Sequence, residues 1–200
     1  MDWRLKALAF QIFDNVPLGD LMHYLSQRYI TKRLPRKIQP VFETSSVFRQ
    51  HISVFKEYAD SLEKAFYFEF GAGYDLFSNM LMYCYGIERQ ISIDIKPLAK
   101  ATLVNLVIND LSQETLPEVV RFPKAIVRSE TFLEDLKKFY GIEYRGNADA
   151  TCMELPDGAV DLIATTSTLE HIPHQTLKNI MQECYRLCHK NSVISMQIDY

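Results

Sequence analysis

FYFEFGAGYDLFSNM, residues 66–80, passes from an aromatic run to two glycines two residues apart, and on into residues with helical spacing. The chain has seven glycines in 200 residues, so a pair placed directly behind the carboxylate of Glu69 marks a special turn. AFYFEF (65–70), aromatic and bounded by glycine, predicts a strand. Behind it Leu76, Met80, Tyr83 and Cys84 share one helical face, so the stretch reads as strand, tight turn, helix.

The same alternation continues outward. QISID (90–94) is a second short apolar run, and KPLAKATLVNLVINDL (96–111) restarts a helix with Pro97 near its first turn. IEYRGNAD (142–149) predicts a third strand after the amphipathic SETFLEDLKKFY. AVDLIATT (159–166) follows the turn signal Pro156-Asp157-Gly158, and NSVISMQI (191–198) follows a helix bearing Leu177, Ile180, Met181, Cys184 and Cys188. Five strands alternating with helices predict an α/β fold with a Rossmann-like parallel sheet, right-handed crossovers and helices on both faces.

The first 64 residues show helical periodicity alone. Leu5, Leu8, Ala9 and Ile12 share a face, as do Leu18, Leu21, Met22, Leu25 and Tyr29, and then Phe48, Ile52, Phe55, Ala59 and Leu62. Pro35 and Pro40 separate the second set from the third. The expected organisation is a helical N-terminal extension over 1–64, acting as a lid, and an α/β domain over 65–200.

A hydrophobic fraction of 48% supports a core without metal or disulfide staples, and a net charge of −3 gives no global field for nucleic acid. One local basic cluster stands out: Arg28, Lys32, Arg33, Arg36 and Lys37. It reads either as a solvated connector or as a contact for phosphate, an acidic substrate or an anionic membrane surface. Cys84, Cys152, Cys184 and Cys188 form no CxxC pair, and no histidine falls at zinc-finger spacing, so reduced structural thiols and no metal are expected. No apolar run approaches the ~18 residues of a membrane span, and MDWRLKALAFQIF has no cleavable-leader pattern. The expected location is the cytoplasm.

Ligands of an open α/β sheet bind beyond the carboxyl ends of the strands, where Gly71 and Gly73 fall. A dinucleotide site asks for G-x-G-x-x-G and so for glycine at position 76, which is Leu76; a P-loop asks for a Gly-Lys-Ser/Thr ending that is absent. What remains is Glu69 before the turn, Asp94 ending the second strand and Asp149 ending the third. Acids at three successive strand ends suit a cationic, hydroxyl-rich ligand without phosphates.

With these motifs the chain resembles the class I S-adenosylmethionine-dependent methyltransferases. The family's first motif is seen as Glu69-Phe-Gly71-Ala72-Gly73, its second as Ile93-Asp94, its third as Ala148-Asp149-Ala150 and its fourth as the run from Asp161 to His171 and Ile172. The match covers roughly residues 65–200. The resemblance implies a sheet order of 3-2-1-4-5 and S-adenosyl-L-methionine as cofactor. Gly71, Ala72 and Gly73 would border its methionine end, with Glu69 near the amino group. Asp94 would hold the ribose hydroxyls, Ile95 would pack on the adenine, and Asp149 and the Ala150 amide would meet the adenine edge. Thr165 and Thr166 would face the sulfonium.

Methyl transfer from a sulfonium is a displacement that needs alignment more than covalent help, so a catalytic base is optional and His171 is a weak candidate for one. Ser167 and Glu170 fit a capping box, which accounts for Glu170 without chemistry.

Two departures from the family pattern stand out. Asp75 replaces a further glycine common after the pair, where it could cap the next helix. The two strands that usually close the sheet, the sixth and seventh, are missing after Tyr200. The expectation is a C-terminally incomplete domain whose fifth strand is an exposed edge, open to homodimer pairing. The leading function is transfer of a methyl group to a small metabolite, sugar or lipid-linked acceptor rather than nucleic acid, with Tyr24, Tyr29, Phe42 or the basic cluster as acceptor contacts. The alternatives are a non-catalytic or truncated S-adenosylmethionine-binding module and, against Leu76, a nicotinamide oxidoreductase.

Overall fold

The computed structural model describes residues 19–36, 44–59, 61–113 and 118–198. The face Leu5, Leu8, Ala9 and Ile12, together with Leu18, Lys37, Pro40, Phe42 and Tyr200, lies outside the described residues. The chain divides into two compact units, Met1–Pro35 and Arg36–Tyr200.

In the first unit helix α1 (Gly19–Leu25) runs on into a π-helical turn, Ser26–Ile30. The wider turn is closed by the Thr31 N–H donating to Ser26 O at 2.9 Å. Arg28 Nη1 donates to Leu34 O at 2.9 Å and pins the segment that follows.

The second unit opens with α2 (Thr44–Tyr58), followed by β1 (Phe66–Phe70), α3 (Phe77–Cys84), β2 (Arg89–Asp94), α4 (Ala101–Gln113), α5 (Phe132–Tyr140), β3 (Ile142–Gly146) and β4 (Val160–Thr166). A 3-10 turn (Leu169–His171), α6 (His174–Leu187) and β5 (Cys188–Gln197) complete it. The five strands are parallel in the order β3-β2-β1-β4-β5, with Glu69 opposite Ser92 on one side and Ala164 on the other. Strand order reverses at β1, so the tips of β1, β2 and β4 form the crevice where ligands of such sheets bind.

β1 is buried along its whole length because both of its faces are covered. Phe66, Phe68 and Phe70 pack with Ile163 and with Ile180, Cys184 and Leu187 of α6. Tyr67 faces the opposite core, made with α2, α3, α4 and α5. Phe48, Ile52 and Phe55 give α2 its buried face, so this helix, expected within a 1–64 extension, is built into the α/β core of the second unit. Burying each such phenylalanine contributes on the order of 2 kcal/mol.

Three local expectations are corrected. The helix expected from residue 96 starts at Ala101, because the chain over 95–100 runs out to meet neighbouring groups instead. Tyr144 Oη accepts from the N–H groups of Leu98 and Ala99, and Lys100 N–H donates to Tyr74 O. Cys188 begins β5 rather than ending the helix before it. The Ser167–Glu170 capping box does not form: Ser167 has a φ of +50°, and Thr168 occupies the N-cap position of a 3-10 turn with no side-chain cap bond.

Candidate functional site

The glycine turn folds across the end of β2. Gly71 N–H and Ala72 N–H donate to Ile93 O at 2.9 and 3.3 Å, and Gly73 N–H donates to Asp94 Oδ2 at 2.7 Å. Gly71 and Gly73 adopt φ values of +78° and +75°, which side chains disfavour. The space beside each is also taken. A Cβ on Gly71 would stand 2.2 Å from Thr168 Oγ1, and one on Gly73 would stand 3.3 Å from Arg36 Nη2.

Arg36, singled out in the sequence only as one of five basic residues, is joined to the glycine turn through Asp75, a pairing that sequence reasoning missed. Its guanidinium lies over the turn, with Nε 2.8 Å and Nη2 2.6 Å from Asp75 Oδ1, while its backbone N–H donates to Asp75 Oδ2 at 2.6 Å. Nη2 also donates to Ala72 O at 2.9 Å. Asp75, fully buried, caps α3 only in part, accepting from Phe77 N–H at 3.3 Å, and Leu76 takes the N-cap position with a φ of +49°. The departure from the family's glycine thus has a partner 39 residues upstream.

Glu69 is turned beneath α3, 2% exposed, with its Oε2 3.4 Å from Ser92 Oγ and its carboxyl also hydrogen-bonded by Ser78. Burial pushes it up to about 8, against the charge of Arg36. Burial likewise pushes Asp94 up to about 6, opposed by the Gly73 N–H and by Arg36. His51, buried in α2, is pushed the other way by the same cause, to about 4.

These shifts fix a pH dependence of stability. The folded chain keeps the Glu69 and Asp94 protons where the unfolded chain has shed them, so this contribution is full below the ordinary values of 4.5 and 3.8. It is lost as pH rises through about 8 and about 6 respectively. His51 has the opposite sign: its contribution is present above its ordinary 6.5 and lost as pH falls through about 4. Urea midpoints measured across this range should therefore decline on the alkaline side, and Glu69→Gln should flatten that decline. An alkaline limb unchanged by Glu69→Gln assigns it elsewhere.

The structure brings Glu69, Gly71, Ala72, Gly73, Asp94, Thr165 and Thr166 to the adjoining tips of β1, β2 and β4. Thr165 Oγ1 donates to Phe70 O at 2.9 Å and ties β4 to β1. Ile95, just past Asp94, is 67% exposed and offers an apolar face beside it. Ala148 N–H reaches Asp94 O at 3.0 Å, which carries the loop after β3 to the same rim. Asp149 there is exposed and accepts from Thr151 N–H at 2.8 Å, and Ala150 is half-buried beside it. His171 stands apart, its side chain exposed and its Nε2 3.9 Å from Glu170. A residue missed from the sequence is His51, whose ring nitrogens reach Ser195 Oγ at 2.6 Å and Thr166 Oγ1 at 3.0 Å. Among the described residues, no group of three or more His, Cys, Asp and Glu side chains is placed to hold a metal ion.

A parallel sheet of this order, opened at β1 by a glycine turn between two acidic strand tips, defines the class I methyltransferase fold. The profile of a methyltransferase-domain family matches residues 68–196, and the chain belongs to that family. No curated protein matches the chain. Among solved structures it is similar to the YcgJ protein of Bacillus subtilis, with 12% identity, a TM-score of 0.46, and coverage of 74% of this chain and 50% of that one. It is also similar to phosphoethanolamine N-methyltransferase 1 of Haemonchus contortus in complex with phosphoethanolamine and S-adenosylhomocysteine. There the identity is 12%, the TM-score 0.46, and the coverage 96% of this chain and 30% of that one. A putative type II methyltransferase of Anaeromyxobacter dehalogenans is 16% identical with a TM-score of 0.43, over 76% of this chain and 46% of that one. The chain spans about half the length of the first solved structures it matches.

Proposed function

We propose that the chain is an S-adenosylmethionine-dependent methyltransferase acting on a small-molecule acceptor. The observation that carries this reading is the joining of the glycine turn to the second acidic strand tip, Gly73 N–H to Asp94 Oδ2 at 2.7 Å, with Glu69 buried at the neighbouring tip. The donor set fits the cofactor: the carboxyl groups of Glu69 and Asp94 for its amino group and ribose hydroxyls, an apolar Ile95 for its adenine, and the Arg36 guanidinium for its α-carboxylate. Asp149 and Ala150 would meet the adenine edge, and Thr165 and Thr166 would border the sulfonium.

When bound, S-adenosylmethionine supplies an electrophilic methyl group on a positively charged sulfur. The residues of this chain then have to bind, orient and exclude water, and alignment of that kind can account for ~7–11 kcal/mol of barrier reduction. Asp94 acts twice, holding the turn through Gly73 and offering its carboxylate edge to the diol. Tyr24, Tyr29, Phe42 or the basic cluster are the proposed acceptor contacts, with the cluster also available to an anionic membrane surface. β5 has a strand neighbour on one side only among the described residues, and its other edge is the proposed homodimer contact. The four free cysteines suit the cytoplasm, and no described helix is long and apolar enough to cross a membrane.

Titration calorimetry with S-adenosylhomocysteine tests the reading. Saturable binding is expected, and Asp94→Ala should weaken it by ~1–3 kcal/mol, the cost of leaving buried hydroxyls unpaired. A wild-type chain that never saturates ends the proposal. An Asp94→Ala affinity equal to wild type removes that residue from the site.

A further inference from the structure

His51 sits in α2 at 2% exposure, its ring 6.4 Å from those of Phe48 and Phe55. Packing alone would explain an apolar residue here. Instead, both ring nitrogens reach across to the sheet, Nδ1 to Ser195 Oγ on β5 at 2.6 Å and Nε2 to Thr166 Oγ1 on β4 at 3.0 Å. A neutral imidazole has one donor and one acceptor, so the two hydroxyls must be oriented oppositely. In one arrangement Nδ1–H donates to Ser195 and Nε2 accepts from Thr166; in the other the roles are exchanged. One proton entering at one nitrogen while another leaves from the other converts the first into the second, and the ring stays neutral throughout. Burial, which holds the ring neutral, favours passing a proton over storing one.

The position fits such traffic. Thr166 is the last residue of β4, at the strand tip where the candidate site lies. Two residues on, Thr168 donates through Oγ1 to Thr166 O at 3.0 Å and packs against Gly71. Thr166 and Ser195 are both half-buried, so each end of the chain of bonds has a way out. Gln197 pairs with Thr166 in register and shares a face of β5 with Ser195. Its Oε1 is buried and, among the described residues, has no hydrogen-bond partner, which leaves an acceptor atom for a polar ligand beside the threonine.

We propose that His51 is a neutral proton relay for the methyl acceptor, drawing through Thr166 Oγ1 the proton that an acceptor O–H or N–H loses and passing another to solvent through Ser195. The inference rests on the methyltransferase reading above. The acceptor heteroatom bonds to the methyl carbon as the carbon–sulfur bond breaks, and sulfur keeps that electron pair. The heteroatom's proton goes to Thr166 Oγ1, the threonine's own proton to Nε2, the Nδ1 proton to Ser195 Oγ, and the serine's proton to water. The positive charge of the sulfonium leaves as one proton. A thioether has no proton to lose, so the relay assigns the acceptor to alcohols, phenols and amines, with Gln197 Oε1 open to a second N–H or O–H where the acceptor carries one.

The test is solvent exchange of the His51 ring N–H, read in nitrogen-15 spectra of the labelled full chain, with and without S-adenosylhomocysteine. The expected result is a neutral ring from pH 5 to 8 whose N–H exchanges with water despite its burial, and which Ser195→Ala protects severalfold by closing the exit while leaving the ring in place. Thr166→Val should remove the second tautomer from the spectrum, and Thr166→Ser should restore it. Initial rates of S-adenosylhomocysteine formation from phenol, catechol and ethanolamine provide the second readout, with kcat expected to fall ~100-fold in Thr166→Val and to recover in Thr166→Ser. Exchange that is equally slow in wild type and Ser195→Ala, with S-adenosylhomocysteine still bound, overturns the relay alone. Absence of S-adenosylhomocysteine binding overturns the methyltransferase reading and the relay together.

Discussion

Arg36→Ala lowers the unfolding free energy of the chain by about 3–5 kcal/mol, the cost of stranding a buried carboxylate without its partner. Asp75 is fully buried and meets Arg36 three times, through the backbone N–H, Nε and Nη2. Substitution by alanine leaves the backbone bond and removes the other two together with the whole counter-charge. It also exposes the face of Phe48, which lies 5.5 Å from the guanidinium carbon, and it withdraws a cation from Glu69 and Asp94. Arg36→Lys keeps the charge but loses the planar fork, so its loss should be intermediate. Urea denaturation of the three proteins measures this directly. High salt should leave the differences standing, because a pair with one partner fully buried is poorly screened. A loss under about 1 kcal/mol would place the pair in the exposed class and remove it as the clamp of the turn.

The sheet was legible in the sequence because its signals are local. FYFEF and QISID carry aromatic and β-branched residues between glycine and charge, and burial on both faces requires that composition. The meeting of the glycine turn with Asp94 was legible for a similar reason: the two lie only 21 residues apart along the chain. Arg36 was not, since one arginine among five basic residues reads as solvated until the fold supplies Asp75 from 39 positions away. His51 was hidden differently. It sits between Phe48, Ile52 and Phe55 on a strongly periodic helix, and its two hydroxyl partners come from β4 and β5, 115 and 144 residues later. The helix expected at 96 failed because Pro97 is as acceptable in an extended crossing as in a first helical turn. Tyr144, a residue of β3, decided between them by accepting two N–H groups from the loop.

Gly71→Ala should cost about 2–5 kcal/mol, the sum of placing an L side chain at positive φ and forcing an extra methyl into a filled space. The methyl would arrive 2.2 Å from Thr168 Oγ1 and 2.6 Å from its Cγ2, and even the Thr168 Cβ stands at 2.9 Å, so no rotamer change clears it. The glycine therefore answers to a protein neighbour before it answers to any ligand. A double-mutant cycle with Thr168→Gly separates the two costs: the crowding disappears, the φ strain stays, and a coupling of roughly 1–3 kcal/mol is expected between the sites. Gly73→Ala provides the contrast, because its methyl meets only Arg36 Nη2 at 3.3 Å, an approach that a shift of a few tenths of an ångström relieves without breaking the bonds to Asp75. Its loss should stay near the strain alone, ~1–2 kcal/mol. If Gly71→Ala and Thr168→Gly were additive, Thr168 would not be what excludes a side chain at position 71. The requirement for glycine there would then fall back on its backbone angle, the one demand the two glycines share.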